Sequence, residues 1–333
     1  MPETLYLPIS TPMELSMCML GPRSVGKTTV MTSILFDTIK SLRDSKLSFD
    51  MVKPEDHTAL QKYQIELSDA IKKSNAANLP ASRIHSKFDF KLGTVRRPHL
   101  ITLSVHDYPG EYLENNHRAE VFSFVENSTI IIVAIDTPYL MEDNGEYNDN
   151  KNKVELVSSY LKNIESLDGL KDKLVLFVPL KCERYAHDGR IEEVTDKVGE
   201  VYKNVIDYFG KNNIASVIAP IHTLGGIELD SLVDNTNSEF GKDAVYRPFI
   251  EEGKRKPKYA PLFCSQPLYY LLSYIANYYE WMNKQGRWWE RWLRGLVALF
   301  RNEQEFYAEI KKMQSYMLTN TCGYRILTHN SFM

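Results

Sequence analysis

The sequence predicts an α/β fold: a mostly parallel central sheet with an antiparallel edge strand, followed by a helical C-terminal extension. Three observations carry this. Short apolar runs alternate with segments of helical apolar spacing, the pattern of parallel strands joined by crossover helices. Two of the runs, Ile130-Ile131-Ile132-Val133 and Leu174-Val175-Leu176-Phe177-Val178, are apolar on both faces, as strands covered from both sides must be. A loop bracketed by glycines, Gly21 to Thr28, stands between an apolar run (Leu15 to Leu20) and a helical pattern from Thr28 to about Leu42.

Further along the chain, Leu100 to Val105, Thr129 to Ile135, Lys173 to Leu180 and Ile214 to Ile221 read as strands. In Ile84 to Leu92 the apolar Ile84, Phe88, Phe90 and Leu92 alternate with His85, Lys87, Asp89 and Lys91, so one face meets water and an edge position is expected. Asp56 to Ser74, Lys153 to Leu167 and Ile191 to Phe209 have helical spacing. The stretch of about forty residues between the first helix and the edge strand is longer than an ordinary connection and reads as an insertion, about 45–80. The polar run Glu142 to Asn152 reads as a solvated loop without the spacing of a Ca²⁺ loop. The resulting organisation is an α/β domain over 13–228, a polar linker or insertion over 229–260, and an aromatic-rich helical extension over 261–320.

Composition excludes several classes. The 333 residues are 43% hydrophobic and 25% charged with a formal charge of −3, so no global basic surface argues for nucleic acid or membrane. The four cysteines show no C-x-x-C spacing, which fits a reducing compartment. No secretory start and no uncharged apolar run of spanning length is visible, and a cytoplasmic protein is expected.

Gly21-Pro22-Arg23-Ser24-Val25-Gly26-Lys27-Thr28 has the spacing of a P-loop, and the strand before it and helix after it are the context that gives the pattern meaning. Gly21 and Gly26 permit a tight wrap. The amides of Gly21, Ser24, Val25, Gly26, Lys27, Thr28 and Thr29, with the helix N-terminus, would present donors to phosphate. Lys27 would reach the β- and γ-phosphates and Thr28 would ligate Mg²⁺. Asp107-Tyr108-Pro109-Gly110 follows a strand, where Asp107 would support Mg²⁺ through water and the Gly110 amide would meet the γ-phosphate.

With these motifs in this order the chain resembles the translation-factor and Ras-like branch of P-loop GTPases. The resemblance implies GTP as substrate, GDP as product, and Mg²⁺ as cofactor. It also implies that Leu180-Lys181-Cys182-Glu183 is the guanine motif, with Leu in place of Asn or Thr and Glu183 in place of Asp. Lys181 and Glu183 would then recognise the base, and Thr223-Leu224-Gly225-Gly226 would bring amides to the guanine carbonyl. Ser82, just before the edge strand, stands where the family places a Mg²⁺-binding Thr. Glu111 stands where many members carry a water-orienting Gln; it would orient water or remain a solvated carboxylate. Arg23 stands where Ras-like members have a small residue, and would crowd out an activator's arginine finger, act as one in cis, or point to solvent. More narrowly, Gly21 to Thr29, Asp136-Thr137-Pro138, Pro179 to Glu183 and Thr223 to Gly226 look like the double-GTPase family of bacterial conflict systems, over roughly 14–228. That likeness implies a GTPase working beside other proteins of one conflict or defence system, with a protein effector or activator.

In the tail, Trp288-Trp289, Trp292-Leu293, Leu296-Val297 and Leu299-Phe300 recur at near-helical spacing, with Arg287, Glu290, Arg291, Arg294 and Arg301 on the complementary face. Such a helix packs on the globular domain or another subunit, or lies on an anionic membrane with help from Lys254-Arg255-Lys256 and Lys258. Its aromatic and basic residues fall on separate faces, which argues against single-stranded nucleic acid. The whole reads as a slow GTPase switch with the tail as candidate interaction surface; the alternatives are a nucleotide-binding scaffold that scarcely hydrolyses, or an ATPase.

Overall fold

The structure is a computed structural model and describes residues 12–73, 86–108, 110–113, 117–162, 173–236, 241–250, 253, 255–285, 299, 303–319 and 321–329. Eight strands form one sheet in the order β10-β7-β6-β5-β1-β4-β3-β2. They are β1 (Met13–Leu20), β2 (Leu47–Met51), β3 (Ser86–Thr94), β4 (Ile101–Asp107), β5 (Ile130–Asp136), β6 (Leu174–Leu180), β7 (Ala215–Ile218) and β10 (Arg325–Thr328). The five inner strands β7-β6-β5-β1-β4 run parallel, and β3, β2 and β10 are antiparallel additions at the two ends. All seven residues of β5 and of β6 are buried, as their doubly apolar sequences require.

Strand alternation divides the core in two. Met17 and Met19 of β1, with Ile132, Leu176 and Val178, meet Val30, Met31, Ile34 and Leu35 of α1 (Lys27–Ser41). Cys18 and Leu20, with Ile131, Val133, Val175 and Phe177, face the opposite layer. That layer contains α3 (Arg118–Asn127), α6 (Val154–Lys162), α8 (Ile191–Val201) and α9 (Lys203–Lys211). The expected helix Ile191 to Phe209 is thus two helices, which meet at the buried Tyr202 packed against Phe177.

The described C-terminal helices are α10 (Gln266–Gln285) and α11 (Gln304–Thr319). They complete the α1 face of the sheet instead of standing apart as an appendage: Leu268, Leu272, Ile275, Leu299, Phe306 and Ile310 belong to the same core as α1. Asp37 of α1 accepts a hydrogen bond from the Ser265 amide at 2.9 Å, which ties the two helices end to end. The tryptophan-rich stretch Arg287 to Leu293, with most of the amphipathic pattern after it, lies outside the described residues, as does Ser82.

Several of these expectations are revised. The alternating segment around Ile84 to Leu92 is β3, one strand in from the edge. The edge is β2, where Leu47, Phe49 and Met51 point to the core and Ser48 and Asp50 away from it. The stretch 45–80 thus holds this strand, which was not expected, besides the helix expected over Asp56 to Ser74, which is α2 (Pro54–Lys72) and starts at a proline followed by Glu55 and Asp56 in its first turn. The stretch 229–260, expected as a polar linker or insertion, carries most of a two-stranded hairpin, β8 (Ile227–Asp234) and β9 (Lys242–Pro248). The run Glu142 to Asn152 is not an open loop either, since it contains α5 (Asn148–Asn152) with Asn148, Lys151 and Asn152 buried. Asn152 grips the main chain of Asp136, accepting from its amide at 2.7 Å and donating to its carbonyl at 3.2 Å.

Candidate nucleotide site

β1 lies between two parallel neighbours, β4 and β5. The helix after β1 packs on one face of the sheet and α3, which leads into β5, on the other. This arrangement opens a crevice outside the carboxyl ends of β1 and β5, the place where open α/β sheets take ligands. The glycine-bracketed loop leaves β1 at that point. Ser24 has φ +59°, and Gly26, which caps α1, has φ +112°, a conformation that suits glycine alone. At Gly21 a side chain would begin 3.1 Å from Val25 Cγ1 and 3.2 Å from Ala134 Cβ, so the loop packs directly on β5.

The first residues of α1 then face this loop. Lys27 is buried; its Nζ donates to the carbonyls of Gly21 (2.7 Å) and Pro22 (3.1 Å) and lies 5.4 Å from the centre of the Tyr108 ring. Burial pulls its pKa down to about 8, against the raising influence of Asp107 and Glu111. Thr28 Oγ1 donates to Asp107 Oδ2 at 2.8 Å. Thr29 points elsewhere: its hydroxyl lies 3.3 Å from the Tyr63 hydroxyl of α2.

The loop after β4 rests on the loop after β1. A Cβ on Gly110 would lie 2.1 Å from the Arg23 amide nitrogen and 2.3 Å from the Pro22 carbonyl carbon, so the two backbones touch and no side chain fits. Glu111 Oε1 pairs with Arg23 Nε at 3.2 Å, the Arg23 side chain being half exposed and that of Glu111 about a third. Lys27, Thr28, Asp107, Gly110, Glu111 and Arg23 are thus brought together.

At the ends of β6 and β7 the second group of expected residues is also together, but in a different state. A Cβ on Gly26 would lie 3.7 Å from Leu180 Cδ1, so the chain leaving β6 borders the glycine-bracketed loop. Lys181, at φ +60°, donates from Nζ to Asp136 Oδ2 at 2.7 Å, and Asp136 is fully buried. Burial lowers the pKa of Lys181, but Asp136, Tyr246 and Tyr139 outweigh it and leave the ammonium above its ordinary value. Glu183 opens the short helix α7 (Glu183–His187) and is buried; its Oε1 accepts from the amides of Leu224 (2.6 Å) and Gly225 (3.0 Å). The amide expected to meet a guanine carbonyl therefore meets Glu183. The Thr223 carbonyl accepts from Ser33 of α1 at 3.2 Å, and the Leu224 side chain is buried with Leu67, Ile71, Ile227 and Tyr259.

Sequence reasoning gave Asp136 no role in the site and passed over Tyr108 and Tyr63. Asp136 had a signal: it ends β5 in register with Leu180, so its strand end and the start of the Lys181 loop are neighbours. Thr28 and Asp107 form an all-oxygen donor pair, hydroxyl and carboxylate, which suits a hard cation such as Mg²⁺. Among the described residues no cluster of three or more His, Cys, Asp or Glu could hold a metal by itself. The four cysteines form no disulfide. No described helix is long and apolar enough to cross a membrane.

No protein-family model matches the sequence, and no curated protein matches it. Among solved structures, the chain is similar to the Ski7 GTPase-like domain of S. cerevisiae. In the form bound to GTP the identity is 15% and the TM-score 0.44, covering 74% of this chain and 48% of that one. In the form bound to GDP and inorganic phosphate the identity is again 15%, the TM-score 0.41, and the shares covered are the same. It is also similar to sup35 complexed with GDP, at 13% identity and a TM-score of 0.36, covering 67% of this chain and 40% of that one. The chain thus matches less than half the length of each of these structures.

Proposed function

We propose that this chain binds GTP with Mg²⁺, hydrolyses it slowly, and works as a switch whose loops around Gly110 are read by a protein partner. One observation carries the reading: Thr28, at the start of a helix capped by a left-handed glycine, hydrogen-bonds Asp107 from the neighbouring parallel strand. A strand-end turn without a ligand has no need to bring a hydroxyl, a carboxylate and a buried lysine to one crevice. Lys27 would exchange its two carbonyl partners for phosphate oxygens, and its charge would stabilise the transferring group. Thr28 and Asp107 would hold Mg²⁺, which when bound neutralises charge on the β- and γ-phosphates. Ser82 would join them from outside the described residues. Gly110 would offer its amide to the γ-phosphate, which the touching backbones at Pro22 and Arg23 put within a small movement. Glu111 is engaged with Arg23, which supports an intrinsic rate in the slow range, of order 10⁻⁴ to 10⁻² per second.

At the base end, guanine would have to take Glu183 from the Leu224 and Gly225 amides, and Lys181 would keep its bond to Asp136. That engagement favours a second reading, in which the phosphates are held firmly and the base is chosen loosely, so that ATP also serves. The motif likeness to the double-GTPase family supports a place in a multi-protein bacterial system in the cytoplasm, with α10 and α11 offering a surface for partners. Phosphate release from GTP and from ATP, each with Mg²⁺ and with Lys27→Ala as control, tests the reading. Release from GTP at a rate of order 10⁻³ per second that Lys27→Ala abolishes is expected; release that persists in Lys27→Ala would remove this site from the reaction.

A further inference from the structure

Arg23 and Glu111 each depart from the pattern that the motifs resemble, and the structure joins them to each other. Arg23 sits in the loop that would wrap the phosphates, and Glu111 follows the glycine that rests on that loop. Glu111 Oε1 takes Arg23 Nε at 3.2 Å, while Glu111 Oε2 is shut from solvent without a hydrogen-bond partner among the described residues. A carboxylate half satisfied in this way is held by the guanidinium on its other oxygen, and the Lys27 charge acts on it as well. Lys27 meanwhile faces the Gly21 and Pro22 carbonyls, so three charged groups and two touching backbones crowd the end of the loop.

Resting on the reading of this crevice as a nucleoside triphosphate site, we infer that the Arg23–Glu111 pair discriminates triphosphate from diphosphate. With a diphosphate the pair stays closed, and the loop after β4 lies on the phosphate loop. A γ-phosphate arrives as a second anion at the same end. It repels the Glu111 carboxylate and competes for the guanidinium, whose planar fork suits phosphate oxygens. Once Arg23 turns to the phosphate, Glu111 loses its partner, the buried Oε2 returns to water, and Gly110 lifts from Pro22 and Arg23. Arg23 is then a specificity residue that touches the nucleotide, and Glu111 is a positioning residue that withholds it.

The test is a set of equilibrium titrations of the full chain with GDP and with a non-hydrolysable GTP analogue, both with Mg²⁺, for the wild type, Glu111→Gln, Arg23→Ala and the double variant. Thermal melts of each check folding, and Arg23→Lys, which keeps the charge and loses the fork, serves as a second variant. Glu111→Gln is expected to raise the analogue-to-GDP affinity ratio about threefold, on the scale of a part-exposed ion pair. Arg23→Ala is expected to lower the ratio, with Arg23→Lys in between, and Glu111→Gln is expected to gain less than half as much when Arg23 is absent. Ratios unchanged in Glu111→Gln and Arg23→Ala, in proteins that bind both nucleotides, would overturn the inference and leave the nucleotide site standing. A wild type that binds neither nucleotide would overturn both.

Discussion

The two ends of the crevice contrast in how their polar groups are engaged. At the phosphate end the partners are exchangeable: Lys27 holds two main-chain carbonyls, Thr28 holds Asp107, and Arg23 holds Glu111 near solvent. At the base end they are committed. Lys181 is bound to the fully buried Asp136, and Glu183 takes two main-chain amides on a single oxygen. A ligand at the first end replaces two neutral main-chain carbonyls on Lys27 and a part-exposed ion pair with phosphate oxygens, whereas at the second end it must first break charge-assisted bonds. Phosphate recognition is therefore expected to dominate affinity, with the base as a modest correction.

The contrast breaks most visibly at Asp136. Asp136→Ala takes the fully buried carboxylate from the Lys181 ammonium, whose side chain is 19% exposed, and a loss of up to about 3–5 kcal/mol in unfolding free energy is expected from chemical denaturation. A loss under about 1 kcal/mol, the range of surface pairs, would show that the base end is looser than its geometry implies. At the other end, Gly110→Ala drives a methyl group into the main chain of Pro22 and Arg23, costing about 1–3 kcal/mol unless the loop moves away. If the loop is as exchangeable as the contrast holds, this variant gives up little stability and much triphosphate affinity. A full stability loss with affinity intact would place the loop among the rigid parts.

Glu183→Ala orphans the Leu224 and Gly225 amides, for about 1–3 kcal/mol of stability, and removes the carboxylate expected to select guanine. A fall in stability with an unchanged GTP-to-ATP affinity ratio would assign Glu183 to loop structure alone; a ratio that collapses to one would assign it to the base. The smallest effect is on pH dependence. The Lys27 ammonium is pushed down to about 8 by burial, so triphosphate affinity is expected to be flat at low pH and to fall as pH rises through that value. Stability moves the other way. Between about 8 and about 10.4 the unfolded chain holds a proton on this lysine that the folded chain has lost, so the free protein gains stability with rising pH. Paired binding and denaturation curves across pH 7 to 10 would show the opposite slopes, and parallel slopes would mean that Lys27 is not the group titrating.

The phosphate end was legible in the sequence because its chemistry is carried by contiguous residues and by the main chain. Gly21 to Thr28 dictates its own turn, and Asp107 and Gly110 follow at a strand end. The base end was legible only as positions. That Glu183 meets amides 41 and 42 residues further on, and Lys181 a carboxylate 45 residues back, is a fact of strand packing that no local pattern contains. Arg23 and Glu111 were each visible as departures, but their pairing depends on two loops touching at Gly110. In the fold, the fully apolar β5 and β6 announced themselves, while β2 offered only three apolar residues at period two before the proline of α2. The apolar spacing from Leu268 to Ile275 shows what is buried and leaves open against what; the answer is the face of the sheet shared with α1.

The most direct measurement is a titration with fluorescent GTP, competed by unlabelled GTP and ATP, on the wild type and Lys27→Ala. Loss of the buried lysine's charged contacts to phosphate is expected to weaken binding about tenfold or more, with GTP ahead of ATP by a smaller factor. Equal binding by Lys27→Ala and the wild type would contradict a nucleotide held at the phosphate end of this crevice.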